Sequence, residues 1–315
     1  MNLLDVFLST LNVTLPVFAM VLVGLALKRM GWIDQAFIAT ASALVFKATM
    51  PTLLFLSIIQ ADLETAFQPD LIAYFLGVTL ISFVLAWGWA ILRYPPIDRG
   101  IFVQGSFRSN CGVVGLALAA SMYGGYGLSL GGILAGSVIV LYNVLSAIIL
   151  SLYSPTARSD IPTLLADIVR NPLILCVFAA LPVAALGISL PNWLLTSGEY
   201  FASLSLPLAL ICIGGTLSVR SIRSGNRLVM SVCLWKLVWV PLLGTLGAIL
   251  LGYRGQALGV LFLFLASPTA AVAFVMAKAA GANDRLTADM IVLSTLASML
   301  TVSLGIFVLQ WLEMI

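Results

Sequence analysis

The chain is predicted to be an all-α membrane protein with ten transmembrane helices, arranged as two inverted repeats of five helices. Three observations predict this class: an apolar composition, ten apolar runs of spanning length, and an alternating distribution of basic residues. Of the 315 residues, 62% are hydrophobic and only 9% are charged. A soluble domain carries about 25% charged residues, so this composition is typical of an integral membrane protein.

Ten apolar runs of 23 to 27 residues suit tilted helices that cross a bilayer. Numbered 1 to 10, they cover approximately 5–27, 36–60, 70–92, 98–122, 127–151, 164–187, 193–218, 227–251, 255–280 and 285–311. The odd-numbered connections hold eleven lysines and arginines, whereas the even-numbered ones hold only Arg254. Cytoplasmic loops carry the basic excess, so we expect odd connections inside and both termini outside.

Five helices per half would place the two halves in opposite orientations, as in many secondary transporters. Faint self-similarity supports this prediction, since Pro16 lies 156 residues before Pro172 and Gly124 lies 157 before Gly281. The predicted domains are a first repeat at 1–152, a cytoplasmic connection at 153–163 and a second repeat at 164–315.

Polar residues interrupt the centre of run 4, where Arg108, Ser109, Asn110, Cys111 and Gly112 follow one another. A charge at mid-membrane costs roughly 2.5 to 3.5 kcal/mol or more, so such residues usually face a bundle interior or a wet cavity. Asn and Gly also loosen the helical hydrogen-bond ladder, and the freed backbone groups need partners. We therefore expect a broken helix that lines a substrate path.

The repeat predicts a second interruption in run 9. Shifting Asn110 by 157 residues leads to Ser267, which is followed by Pro268, Thr269 and Ala270. A proline at mid-helix removes one hydrogen bond and clashes with the preceding turn. Interrupted helices at matching positions of two halves predict a binding site near the membrane midplane.

The charges inside the predicted membrane region are one-sided. Lys47, Arg108 and Lys236 lie well within runs, whereas all twelve acidic residues lie near run ends or in connections. An anionic substrate would supply the missing countercharge, above all for Arg108, which cannot lose its proton. The two lysines could instead cap carbonyls or lie nearer an interface, and Asn143 in run 5 could either pack between helices or line the site.

Several classes of function are disfavoured. There is no histidine, and the four cysteines lie inside apolar runs without metal-ligand spacing, so we expect neither a metal site nor disulfides. No nucleotide-binding glycine loop is followed by Lys-Ser or Lys-Thr, and basic residues form no patch for nucleic acid. We therefore expect neither an enzyme nor an ATP-driven pump, and no cofactor beyond a coupling Na⁺ or H⁺.

These motifs, taken in order, resemble the auxin efflux carrier family in its compact bacterial form, which includes malonate- and malate-type transporters. The carrying pieces are Leu15-Pro16, Met50-Pro51-Thr52-Leu53-Leu54-Phe55, Ser106-Phe107-Arg108-Ser109-Asn110-Cys111-Gly112, Tyr142-Asn143-Val144-Leu145, Asn171-Pro172-Leu173, Lys236-Leu237 and Ser267-Pro268-Thr269-Ala270. The similarity runs over the whole chain. Run 4 lacks the proline typical of plant members, which leaves a general organic anion as the substrate.

The resemblance implies a fold shared with bile-acid sodium symporters, in which helices 4 and 9 are broken and cross. It implies a scaffold at 1–60 and 164–218, which often dimerises, and a moving transport domain at 70–151 and 227–311. The expected protein is an elevator-type carrier of a mono- or dicarboxylate in the bacterial inner membrane, with periplasmic termini. A membrane sensor that binds ligand without net transport is the alternative, and a channel is a third possibility.

Overall fold

The computed structural model describes residues 3–60, 67–153, 170, 172–217 and 226–315, and these residues are helical almost throughout. The α-helices are α1 Leu3–Arg29, α2 Gln35–Leu44, α3 Met50–Ile59, α4 Pro69–Arg93, α5 Pro96–Phe107, α6 Leu116–Tyr153, α7 Pro172–Ala185, α8 Asn192–Ser203, α9 Ser205–Thr216, α10 Arg227–Leu234, α11 Val240–Leu250, α12 Gly255–Ala266, α13 Val272–Ala279 and α14 Asp284–Trp311. Three π-helical turns, Val45–Thr49, Cys111–Gly115 and Trp235–Trp239, join some of them.

The described part of the chain contains seven helical segments that are long and apolar enough to cross a membrane, together with shorter apolar helices at α7 and α12. This confirms the predicted all-α membrane class, and the helix bounds follow the apolar runs closely. The ten-helix inverted repeat stays a prediction. All of the predicted connection at 153–163 except Tyr153, the start of run 6, Asn171, and the basic residues Arg158, Arg220 and Arg223 lie outside the described residues.

Helical geometry stops at both places where the sequence predicts an interruption, at 108–110 and at 267–271. Arg108 is extended, with φ −82° and ψ 101°. Ser267 is also extended, with φ −58° and ψ 144°, because the residue before a proline is disfavoured in the helical region. Because Ser267 is extended, α12 ends at Ala266, two residues before Pro268.

The two interrupted segments pair with each other. An isolated antiparallel bridge links Ser109 to Thr269. Two backbone hydrogen bonds flank it: Asn110 N–H donates to the Pro268 carbonyl at 2.7 Å, and Ala270 N–H donates to the Arg108 carbonyl at 3.1 Å. Unpaired backbone groups are costly in an apolar interior, so each break supplies partners that the other needs.

Prolines account for two of the π-helical turns. Pro51 follows Val45–Thr49 and Pro241 follows Trp235–Trp239 at the same distance. A proline ring clashes with the carbonyl four residues earlier, and a wider turn relieves that clash. As a result, Lys47 and Lys236 both lie in widened turns.

A sharp reversal at Gly124 separates the helical halves of α6. Its φ of 55° and ψ of −131° depart from helical values. Glycine reaches positive φ without steric cost, which other residues do not. The predicted turn between runs 4 and 5 therefore lies where the sequence places it.

Glycines also let α1 and α9 approach closely. A Cβ added at Gly24 would overlap the backbone of Ile211, and one added at Gly214 would overlap the carbonyl of Val21. Each helix therefore presents a glycine to the other helix's backbone, which is the small-residue packing common between membrane helices.

Candidate functional site

A cavity of about 540 Å³ lies beside the break at 108–110. Its walls come from the break, the middle of the second half of α6, the π-helical turn Val45–Thr49 and the start of α7. The cavity extends to Arg170, which lies two residues before the start of α7.

Arg108 is the buried charge of this cavity, with 5% of its surface exposed. Its Nη2 donates to Asn143 Oδ1 at 2.8 Å, and its Nη1 donates to Ser146 Oγ at 3.0 Å. The Tyr142 ring lies beneath the guanidinium, with 5.8 Å between Cζ and the ring centroid. Within the described part of the chain, the buried Nε has no hydrogen-bond partner.

All of these partners are neutral. Across residues 3–60, 67–153, 172–217 and 226–315, no carboxylate forms an ion pair with Arg108. Carboxamide, hydroxyl and aromatic groups orient a guanidinium and stabilise it in part, but they do not cancel its charge. The arrangement therefore leaves a positively charged group beside an open cavity, with a donor still unused.

Seven of the ten predicted site residues line this cavity. They are Arg108, Ser109, Asn110, Cys111, Gly112, Asn143 and Ala270. A Cβ added at Gly112 would meet no atom of the described residues within 4 Å, so this backbone position faces open space. The break thus presents short side chains and exposed backbone to the cavity.

The other three predicted site residues, Ser267, Pro268 and Thr269, lie outside the lining. Thr269 Oγ1 donates to the Gly105 carbonyl at 2.8 Å, and its N–H donates to Ser294 Oγ at 3.1 Å. Ser267 Oγ donates to the Leu263 carbonyl at 2.7 Å. The Thr269 hydroxyl therefore ties the second break to α5, its N–H is bound by α14, and the Ser267 hydroxyl bonds back to its own helix.

The two lysines singled out in the sequence have different environments. Lys47 is exposed and lines the cavity, although it lies at the middle of run 2. Lys236 is completely buried outside the lining, and its Nζ donates to the Leu265 carbonyl at 2.6 Å. Of the two, Lys47 alone adds positive charge to the cavity wall, and Lys236 caps a carbonyl.

Sequence reasoning missed Tyr142, Ser146 and Arg170. Tyr142 and Ser146 lie next to Asn143 and one turn beyond it, so helical spacing from Asn143 could have found them. Arg170 carried no such signal, because it reads as one more basic residue of a cytoplasmic connection. The structure brings it to the cavity with Lys47, so three cations surround the open volume.

Comparisons with known proteins agree with a membrane carrier. Residues 10–306 match the sequence profile of the family described as membrane transport protein. An uncharacterized transporter of Methanothermobacter thermautotrophicus is 25% identical over 314 residues, which cover 96% of this chain and 100% of that protein. An uncharacterized transporter of Methanocaldococcus jannaschii is 22% identical over 308 residues, covering 93% of this chain and 97% of that protein. The chain therefore belongs to the membrane transport protein family, which is the auxin efflux carrier family that its motifs resemble.

Proposed function

We propose that this transporter moves a small organic anion, a mono- or dicarboxylate, across the bacterial inner membrane by alternating access. The observation that carries the proposal is the buried Arg108 guanidinium, whose partners in the described chain are all neutral. A carboxylate in the cavity would supply the countercharge and could accept two parallel N–H bonds from the guanidinium. Binding would therefore offset the cost of burying the charge.

The size and charge of the cavity support a small anion. Small-molecule sites are usually about 300 to 1,000 Å³, and this cavity is about 540 Å³. Exposed Lys47 and Arg170 add positive charge to the wall of the same cavity. Substrate contact is assigned to the seven lining residues, and Ser267, Pro268 and Thr269 position them through the paired breaks.

A second cavity favours alternating access. It has a volume of about 390 Å³ and is lined by residues of α1, α3, α6, α8 and α9, none of them charged. Ala117 and Ala120, just beyond the π-helical turn Cys111–Gly115, form part of its wall. Two separate cavities therefore adjoin the same interrupted helix, which supports a site that can be reached by more than one route.

The mechanism that we propose is an elevator built on ten helices in two inverted repeats, with helices 4 and 9 crossing at their breaks. The scaffold comprises 1–60 and 164–218, dimerises with a second copy, and leaves 70–151 and 227–311 to move. Both termini are periplasmic. An inside-negative potential favours anion export by about 2.3 kcal/mol per charge per 100 mV.

Counterflow in reconstituted vesicles tests the proposal. Vesicles that contain the protein are loaded with unlabelled acetate, lactate, malonate, malate or succinate, and uptake of the labelled compound is followed. The wild type should exchange at least one of these, and Arg108→Gln should lower its exchange about 10- to 100-fold, since a hydrogen bond to a charged group contributes about 1.5 to 3 kcal/mol.

Arg93→Gln is the matched control, because Arg93 is exposed and lies over the Trp89 ring at 5.1 Å, away from the cavity lining. It should leave exchange unchanged. Normal exchange of every anion by Arg108→Gln would overturn the assignment of Arg108. Saturable binding of a carboxylate without any counterflow would favour the sensor instead.

A further inference from the structure

Lys236 is a buried charge that the proposed site does not use. Its side chain has 0% exposure in the π-helical turn Trp235–Trp239, and it is absent from the cavity lining. Its Nζ donates to the Leu265 carbonyl at 2.6 Å, a short distance typical of a charge-assisted hydrogen bond. A lysine this deep requires an explanation beyond packing, because charged groups inside a membrane are expensive.

The hydrogen-bond acceptor of Lys236 shows that its ammonium group lies at the carboxyl end of α12. Leu265 is the second-last residue of α12, which ends at Ala266 where the second break begins. The last carbonyls of a helix lack intrahelical partners and carry the negative end of the helix dipole. In secondary transporters, the carboxyl ends of interrupted helices are where coupling cations are coordinated. The Lys236 ammonium lies at such an end.

The other interrupted helix ends differently. Near the end of α5, the Gly105 carbonyl accepts a hydrogen bond from the Thr269 hydroxyl, which is a neutral donor. Both helices have twelve residues and both end at a break, yet α12 alone receives an ammonium group at its last turn. Of the two helices that end at a break, only α12 is therefore capped by a positive charge.

No carboxylate neutralises Lys236 within the segments that the structure describes, where its single hydrogen-bond acceptor is the Leu265 carbonyl. Arg108 directly follows α5 at the first break and lines the cavity. Lys236 caps the end of α12 at the second break and is buried in the packed interior.

We propose that Lys236 is a built-in cation: its ammonium group fills the place of an exchangeable coupling ion at the carboxyl end of α12, so the carrier works without sodium. The inference rests on the proposed anion transport for its role in the cycle, but its structural content is independent of the substrate. Removing the side chain should leave a vacant position beside the Leu265 carbonyl that a small monovalent cation can refill.

Thermal unfolding of the purified protein in detergent tests this directly, followed by the fluorescence of its seven tryptophans. The wild type should unfold at the same temperature in sodium and in choline chloride. Lys236→Ala should unfold several degrees lower in choline, and methylammonium or sodium should restore part of the loss in a saturable way, because a ligand that binds only the folded state raises its stability.

Lys278→Ala is the matched control, since Lys278 is exposed near the end of α13 with its Nζ 6.0 Å from the Phe274 ring centroid. It should show neither the loss nor the rescue. Lys236→Met, which keeps the length of the side chain, should resist rescue because no space is vacated. If Lys236→Ala fails to fold, the inference is tested by the unfolding temperature of the wild type in sodium and by the stability and counterflow of Lys236→Met.

Three results would overturn the inference. The first is an unfolding temperature of the wild type that is higher in sodium than in choline. The others are a folded Lys236→Ala whose unfolding temperature no cation raises, and a Lys236→Met variant with normal stability and counterflow. In vesicles, wild-type counterflow should be equal in sodium and choline. Absence of counterflow for every carboxylate would overturn the proposed function alone, whereas counterflow that requires sodium would overturn this inference alone.

Discussion

The Arg108 guanidinium donates to the side-chain oxygen of Asn143 at 2.8 Å, so a charged group that is 5% exposed is paired with a neutral carboxamide. The amide is almost isosteric with a carboxylate, and replacing it would supply the missing negative charge without changing the packing. Replacing the amide nitrogen of Asn143 with an oxygen would therefore turn this neutral contact into an ion pair.

Asn143→Asp should place a carboxylate against Arg108 and form a buried ion pair with it. The internal carboxylate would compete with the anion, so counterflow should fall at least about tenfold, the change expected for each 1.4 kcal/mol of lost binding. The unfolding temperature in detergent should stay the same or rise. Ser146→Ala, which removes the neutral partner at Nη1 without adding charge, should affect transport far less. Normal exchange by Asn143→Asp would contradict an anion at Arg108.

Gly112→Leu should obstruct the cavity. A Cβ at Gly112 meets no atom within 4 Å, so a larger side chain would fill open space instead of disturbing the packed interior. We expect a strong loss of carboxylate counterflow with an unfolding temperature within a few degrees of the wild type. Gly77→Leu is the control, because Gly77 in α4 also faces open space but lies outside the cavity lining. Equal transport by the two variants would show that the substrate does not pass Gly112.

Thr269→Val should weaken the junction of the two breaks. The buried Thr269 hydroxyl donates to the Gly105 carbonyl at 2.8 Å, and valine would leave that carbonyl without this donor. Stability should fall by about 1 to 3 kcal/mol, the usual cost of an unsatisfied buried group. Thr301→Val is the matched control, since the buried Thr301 Oγ1 has no hydrogen-bond partner among the residues that the structure describes, and its loss should be neutral or slightly stabilising. If Thr301→Val lost more stability than Thr269→Val, the result would contradict the pairing of the two breaks.

Gly214→Ala should separate α1 from α9. The added Cβ would overlap the Val21 carbonyl, a backbone atom that can move only with its helix. Overpacking typically costs about 1 to 3 kcal/mol, so the unfolding temperature should drop measurably. Gly88→Ala, at a helical glycine with no neighbour within 4 Å of the added carbon, should unfold at or above the wild-type temperature. Unchanged stability of Gly214→Ala would mean that the helices are not in backbone contact.

Much of this architecture was predictable because its causes are local. Hydrophobic length decides where helices cross the bilayer, Gly124 decides where run 4 turns into run 5, and Pro268 decides where α12 ends. The interruption at 108–110 was predictable for the same reason, since an arginine, a serine and an asparagine together cannot be placed comfortably against lipid. Arg108 was recognisable as a buried cation from its depth in the run alone.

What the sequence determined by itself is therefore the membrane class, the positions of the two breaks, and Arg108 as a buried cation. Only the tertiary structure decided that Ser109 pairs with Thr269, that Asn143 and Ser146 hold Arg108, and that Lys236 caps α12 instead of facing the cavity. The physical reason is that these contacts depend on how helices rotate and pack against segments up to about 160 residues away in sequence. Hydrophobic periodicity and proline chemistry act over one or two turns, and they do not specify which distant group forms a hydrogen bond with a buried charged side chain.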